Sequence, residues 1–234
     1  MNPELRLQSA LAQLGVASRR AAAEWIRAGR VRVNGVAILE PCHRVELARD
    51  TFEVDGRRLN PRLPRRVTVM LNKPRGYVCS ADRVQGRSVC DLVAKAGKRL
   101  VPVGRLDKQS EGLLLLSNDG DLVLKLTHPR YGHVKEYRVW FHGRVNAAVL
   151  KSLRAPIEID GKTTRPATVE AVAPDELLFT LGEGRNHQIR LLCERAGLHI
   201  IRLVRTAVNT LHLPDDLPPG HWRELTPDEL AALM

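Results

Sequence analysis

The N-terminal segment carries apolar positions first at helical spacing and then at strand spacing. Leu7, Ala10, Leu11 and Leu14 recur three and four residues apart, the stripe of an amphipathic helix, and Gly15 suits the left-handed residue that closes one. Ser18 is an N-cap for a second helix with Ala21, Ala22, Trp25 and Ile26 as its buried stripe, and Gly29 ends it. Val31-Arg32-Val33 and Val36-Ala37-Ile38 then flank Asn34-Gly35. That dipeptide predicts a two-residue hairpin turn, because both central residues must accept positive φ.

Leu59-Asn60-Pro61-Arg62-Leu63-Pro64-Arg65-Arg66 breaks the pattern and reads as a linker. The expected division is a small domain over residues 1–60, a linker over 61–66 and a larger domain over 67–234. In the larger part, strands are expected at Thr68–Leu71, Leu113–Ser117, Tyr137–Phe141, Thr168–Val172, Leu177–Thr180 and Ile200–Val204. Helices are expected at Asp121–Leu126, Ala147–Arg154 and His187–Arg195. A last helix follows Thr226-Pro227-Asp228-Glu229, which has capping-box spacing and proline at the first helical position. Helices do not separate every strand pair. The fold class is therefore α+β: a small helix-helix-hairpin domain, then a mixed, largely antiparallel sheet with flanking helices, rather than a doubly wound one.

Composition narrows the classes. With 44% apolar and 27% charged residues in 234, the chain is neither disordered nor membrane-spanning, since no run approaches the ~18 apolar residues a spanning helix needs. The start, MNPELRLQSA, lacks the basic-then-apolar layout of a secretion signal, so a cytoplasmic location is expected. Cys42, Cys79, Cys90 and Cys193 form no C-x-x-C pair, which argues against a disulfide scaffold or a Cys-type zinc site.

Charge changes the picture more. The formal net charge of +11 is the footprint of a polyanion binder. Residues 1–66 hold 13 Arg, no Lys and 7 acids, so a net of +6 is packed into the shorter part. Arg19, Arg20, Arg27, Arg30 and Arg32 lie mostly off the apolar stripes, where guanidinium groups either grip phosphates at fixed positions or simply face solvent.

Several familiar motifs fail. Asp160-Gly161-Lys162-Thr163 resembles the end of a phosphate loop, but that loop needs a glycine where Pro156 stands. No G-x-G-x-x-G follows a strand, which weakens a methyltransferase reading, and H-E-x-x-H and G-x-S-x-G are absent. What remains is Gly104-Arg105-Leu106-Asp107-Lys108-Gln109-Ser110-Glu111-Gly112, leading into four leucines. A carboxylate beside such a segment is costly unless a cation compensates it. On the residues alone, Asp107 either caps a turn and pairs with Arg105 or Lys108, or serves chemistry.

Two resemblances weigh on that choice. Arg6 to Gly35, with Leu14-Gly15-Val16-Ala17-Ser18-Arg19 and Gly29-Arg30-Val31-Arg32-Val33-Asn34-Gly35, resembles the S4-type RNA-binding domain. The segment from Gly104 to Gly120 is similar to the active-site motif of pseudouridine synthases of the RsuA family, which includes the RluB and RluF types. Supporting pieces follow in family order: Asn72-Lys73-Pro74-Arg75-Gly76, His128-Pro129-Arg130, Lys135-Glu136-Tyr137, Glu183-Gly184-Arg185-Asn186-His187-Gln188-Ile189-Arg190 and Gly220-His221-Trp222-Arg223.

This resemblance implies an RNA-modifying isomerase without cofactor or metal, in which Asp107 is the indispensable carboxylate. Arg190 then corresponds to the basic residue paired with that aspartate, and Tyr137 to the tyrosine against the target base. Arg105 is implied to fill the space the base vacates or hold its phosphate, and Lys73 to support the pocket wall or contact RNA. With Arg19, Arg20, Arg27 and Arg30 these form the expected RNA-binding set. The expected partner is ribosomal RNA or a ribosome-assembly intermediate, 23S rRNA favoured over 16S rRNA, met by a monomer with no membrane attachment. The chain departs from the family pattern at Gln8-Ser9, at Leu191-Leu192 after Arg190, and at Thr206-Ala207-Val208 after Arg205. The rival class is a non-catalytic RNA-binding or ribosome-assembly factor.

Overall fold

Ser18 accepts a hydrogen bond from the Ala21 N–H at 3.0 Å and so starts the second helix where the sequence places it. The computed structural model describes residues 4–60, 63–80 and 83–233, so Pro61 and Arg62 of the expected linker lie outside the described residues. Contacts divide the chain into two units, residues 1–66 and 67–234.

In the first unit, β1 (Leu5–Arg6), α1 (Leu7–Gln13) and α2 (Arg19–Arg27) precede β2 (Val31–Val33), β3 (Val36–Ala37), β4 (Arg44–Val45), β5 (Phe52–Val54) and β6 (Arg57–Arg58). Four of the strands form a sheet in the order β3-β2-β5-β6, while β1 pairs with β4. The two helices bury Leu7, Leu11, Ala22 and Ile26 with Val31 and Phe52. Asn34 and Gly35 make the β2–β3 turn with φ of 51° and 80°.

The second unit contains β7 (Thr68–Lys73), α3 (Val89–Leu92), β8 (Val101–Val103), β9 (Glu111–Ser117), α4 (Gly120–Thr127), β10 (Lys135–His142) and α5 (Ala147–Arg154). After them come β11 (Glu158–Ile159), β12 (Lys162–Thr163), β13 (Thr168–Ala173), β14 (Glu176–Leu181), α6 (Gln188–Arg195), β15 (His199–Val208), β16 (Leu211–His212), β17 (Trp222–Glu224) and α7 (Pro227–Ala232). The main sheet runs β13-β14-β10-β15-β9-β7-β17, with β8 on β9 and β16 on β15. Its described pairings are antiparallel except β15 with β9. The expected mixed, largely antiparallel α+β architecture is what forms.

The run Leu113–Leu116 now has a cause. Leu114 and Leu116 enter one core with Tyr137, Phe141, Phe179 and Leu192, while Leu113 and Leu115 enter another with Met70, Leu122 and Leu126. A strand covered on both faces loses the usual alternation and reads as continuously apolar. Asp160-Gly161, rejected above as a phosphate loop, is the two-residue turn of the β11–β12 hairpin. The strand expected at Ile200–Val204 extends to ten residues, because β15 pairs with β10, β9 and β16 along its length.

Candidate active site

Asp107 sits in the connection between β8 and β9, and a buried ammonium organises that connection. Lys73, at the end of β7, is fully buried; its Nζ donates to the carbonyls of Ser110 at 2.7 Å, Asp107 at 3.1 Å, Pro74 at 3.1 Å and Lys108 at 3.5 Å. The Ser110 N–H closes a turn onto the Asp107 carbonyl at 3.0 Å, and the Leu106 N–H reaches Cys79 Sγ at 3.3 Å. The backbone on either side of Asp107 is thereby fixed, and the carboxylate projects from a rigid loop.

The neighbours of the carboxylate come from the start of α6. Arg190 Nε lies 3.5 Å from Asp107 Oδ2, and its Nη2 donates to Ser110 Oγ at 3.2 Å. His187, the N-cap residue, takes the left-handed conformation at φ 54° and sets Nε2 3.6 Å from Asp107 Oδ1. Each carboxylate oxygen thus has its own neighbour from one turn of chain, eighty residues removed in sequence from the loop. With its side chain 30% exposed, Asp107 stays accessible.

It opens onto a cleft walled by Tyr137, Leu181, Ile189 and Leu203, with Arg105 and Arg185 also lining it. Tyr137 is 8% exposed, its ring forming part of the wall. Asp107 is the single carboxylate among these lining residues. Glycoside hydrolysis uses two, one to protonate the leaving group and one to attack or to activate water.

Residues 67–195 match the family model described as RNA pseudouridylate synthase, and residues 5–49 match the S4 domain. The chain belongs to the RNA pseudouridylate synthase family. It is 37% identical over 235 residues to the ribosomal large subunit pseudouridine synthase B of Bacillus subtilis, covering 97% of this chain and 95% of that protein. A putative ribosomal large subunit pseudouridine synthase of Arabidopsis thaliana chloroplasts is 36% identical over 97% of this chain, which spans only 60% of that protein's length. A crystal structure of a pseudouridylate synthase superposes with a TM-score of 0.71 at 28% identity, covering 98% of this chain and all of that one. As a member of this family the chain is an RNA pseudouridine synthase, an isomerase with an S4 RNA-binding domain at its front.

In this synthase Asp107, Tyr137, Arg190 and Arg105 meet at one cleft although they come from three separate segments, the β8–β9 connection, β10 and α6. Lys73 does not join them at the surface. Sealed beneath the loop, it exposes no surface to solvent. Burial holds its ammonium down to about 8 from the ordinary 10.5. The unfolded chain therefore binds this proton more tightly than the folded chain between those values. The contribution of Lys73 to stability must be lowest below pH 8 and must rise as pH climbs towards 10.5. Between pH 8 and 10, denaturant titrations of wild type and Lys73→Met should show the difference in unfolding free energy moving by about 2 kcal/mol in favour of wild type. A difference that stays flat across that window would contradict the burial of a charged Lys73.

In the first unit, Arg19, Arg20 and Arg27 are exposed on α2. Arg30 is engaged instead. Its Nε and Nη2 donate to Asp55 Oδ1 and Oδ2 at 2.8 and 2.6 Å, and its guanidinium lies 5.0 Å from the Trp25 ring centre. A phosphate would have to displace a bidentate carboxylate there.

Sequence reasoning passed over three residues that the fold brings to the cleft. Ser110 bridges Arg190 to the loop, and His187 faces Asp107. Gln188 is 3% exposed in the cleft wall, with Oε1 taken by the Arg185 N–H at 3.1 Å. Its Nε2 is a buried donor without an acceptor among the described residues. All three lie inside motifs already recognised, but their side chains acquire meaning only through contacts that no spacing rule supplies.

Proposed function

We propose that this chain isomerises one specific uridine of ribosomal RNA to pseudouridine, with 23S rRNA favoured over 16S rRNA, and that Asp107 is its catalytic residue. The observation carrying this reading is Asp107 at the cleft, with Arg190 and His187 beside its two oxygens and no second carboxylate among the described residues lining the space. The reaction breaks the bond between C1′ of the ribose and N1 of the base and joins C1′ to C5, after which the C5 proton is lost and N1 is protonated. No oxidant, water or cofactor enters the balance. Asp107 serves by attacking C1′ or by taking the C2′ proton, and in either path a nucleophilic or basic carboxylate faces the sugar.

Tyr137 presents the wall against which the extruded base packs. Stacking of roughly 1–3 kcal/mol per base offsets part of the few kcal/mol that unstacking costs. Arg105, exposed beside the cleft, holds the backbone of the flipped nucleotide or fills the space it leaves. Residues 1–60 act as the RNA-holding domain through Arg19, Arg20 and Arg27, and residues 67–234 as the catalytic domain. Preference for the large subunit is supported by the names of the two relatives above and by the likeness of the Arg190 segment to the RluF type. The protein is read as a cytoplasmic monomer; no helix among the described residues is long and apolar enough to cross a membrane. Against the rival, a non-catalytic assembly factor, stands the preserved Asp107–Arg190–Tyr137 grouping, which RNA binding alone does not need.

Pseudouridine mapping across ribosomal RNA from cells with and without the gene tests this directly. One 23S position should lose its modification with the gene and regain it on complementation. Identical maps would favour the assembly factor, and a lost 16S position would reverse the subunit preference.

A further inference from the structure

Beyond the cleft, the segment between α4 and β10 carries His128, Arg130, Tyr131 and His133, a grouping the proposed chemistry leaves unused. Tyr131 is 41% exposed. The Arg130 guanidinium lies 4.5 Å from its ring centre and also donates to the Tyr131 hydroxyl. His128 meets the ring edge-on at 6.3 Å, and His133 lies tilted beside it at 6.2 Å.

This cluster is built rigidly. Pro129 opens the turn and Gly132, at φ 64°, closes it. The Val134 N–H donates to Asn209 Oδ1 at 3.0 Å, which fixes the amide so that Nδ2 donates to His133 Nδ1 at 2.8 Å. His133 Nε2 must then carry the proton and donate to the Lys125 carbonyl at 2.8 Å. His128 Nδ1 likewise accepts the Arg130 N–H at 3.2 Å. An exposed aromatic held this firmly gives up little freedom when something packs on it.

Its position is set at both ends by the cleft. A Cβ on Gly104 would lie 4.0 Å from Thr127 Cγ2, so the end of α4 abuts the residue just before Arg105. At the other end Lys135 pairs with Leu181, which lines the cleft, and Tyr137 follows two residues later on β10.

We infer that Tyr131, backed by Arg130, is a stacking platform for an unpaired base next to the target uridine, with the Arg130 guanidinium meeting the neighbouring phosphate. The inference rests on the reading that RNA occupies the cleft. Single-stranded RNA is the partner this chemistry fits, because every base offers a π-face to a tyrosine and every linkage offers an anion to an arginine. Tyr131 acts on binding alone, since it does not touch the reacting sugar.

The probe is naked ribosomal RNA from cells lacking the gene, with kcat and KM for pseudouridine formation as readouts. Tyr131→Ala and Tyr131→Leu should raise KM about tenfold at unchanged kcat, and Tyr131→Trp should stay within about twofold of wild type. Arg130→Gln should lower the slope of log affinity against log salt by about one. A KM for Tyr131→Ala within about twofold of wild type would overturn the platform. So would an equal loss in Tyr131→Trp, or a loss seen on ribosomal particles but not on naked RNA, which would indicate a protein contact. If wild type forms no pseudouridine, the proposed activity fails separately. Filter binding of the same variants to the same RNA then decides the platform on the same criterion.

Discussion

Asp107→Asn is expected to abolish pseudouridine formation, by about 10⁴-fold or more, while leaving the fold and the grip on RNA in place. The two side chains have nearly the same shape. Arg190 can still lie beside the amide oxygen while donating to Ser110 Oγ, and the loop is held by Lys73 through main-chain carbonyls that the substitution does not touch. What disappears is the negative charge facing the sugar, hence both the nucleophile and the base. Mass-spectrometric detection of pseudouridine, with thermal melting and filter binding as controls, separates the outcomes. Retention of more than about 1% of wild-type activity would remove Asp107 from the chemistry. A loss of melting temperature matching the loss of activity would mark it as structural.

Gly112→Ala should be the most damaging single change to stability. Gly112 has φ 99°, and a Cβ there would fall 2.3 Å from the Arg205 carbonyl oxygen and 2.8 Å from the Arg205 nitrogen. Both are backbone atoms, so no side chain can swing aside. Gly112 pairs with Arg205 in the parallel ladder between β9 and β15, and Arg205 Nε donates to the Leu113 carbonyl at 2.7 Å. Relief therefore requires the two strands to part. Backbone strain of about 1–3 kcal/mol and a comparable overpacking cost sum to about 2–6 kcal/mol, a large share of the ~5–15 kcal/mol that holds a typical domain folded. Gly120→Ala is the control, since it opens α4 with nothing within 4 Å and should be neutral or slightly stabilising. Urea titration reads both; a Gly112→Ala midpoint equal to wild type would contradict the close β9–β15 approach.

Legibility followed the range of the interactions. The Ser18 cap, the Asn34-Gly35 turn and the Thr226 capping box are settled within four residues, and each was readable. Asp55-Gly56 carries the same turn signal and joins β5 to β6, but Arg57-Arg58 on its far side offers no apolar position to mark a strand. Lys73 shows the opposite limit. A lysine in a motif reads as a cation for RNA, and only the fold reveals four carbonyls converging on its nitrogen from residues 74 to 110. The ion pair of Arg30 is hidden from the sequence for the same reason, its carboxylate partner lying twenty-five residues downstream.

The sequence by itself determined the hydrophobic patterning, the caps and turns, the cationic excess and the order of the motifs, because these depend on neighbouring residues and side-chain type. Tertiary structure alone decided which charges meet. Arg190 and His187 reach Asp107 because α6 follows β14 and precedes β15, whose parallel pairing with β9 is possible only where residue 112 lacks a side chain. Electrostatic attraction falls off over a few ångströms, whereas the chain separates these residues by eighty positions. Packing of the sheet, not any local rule, closes that distance.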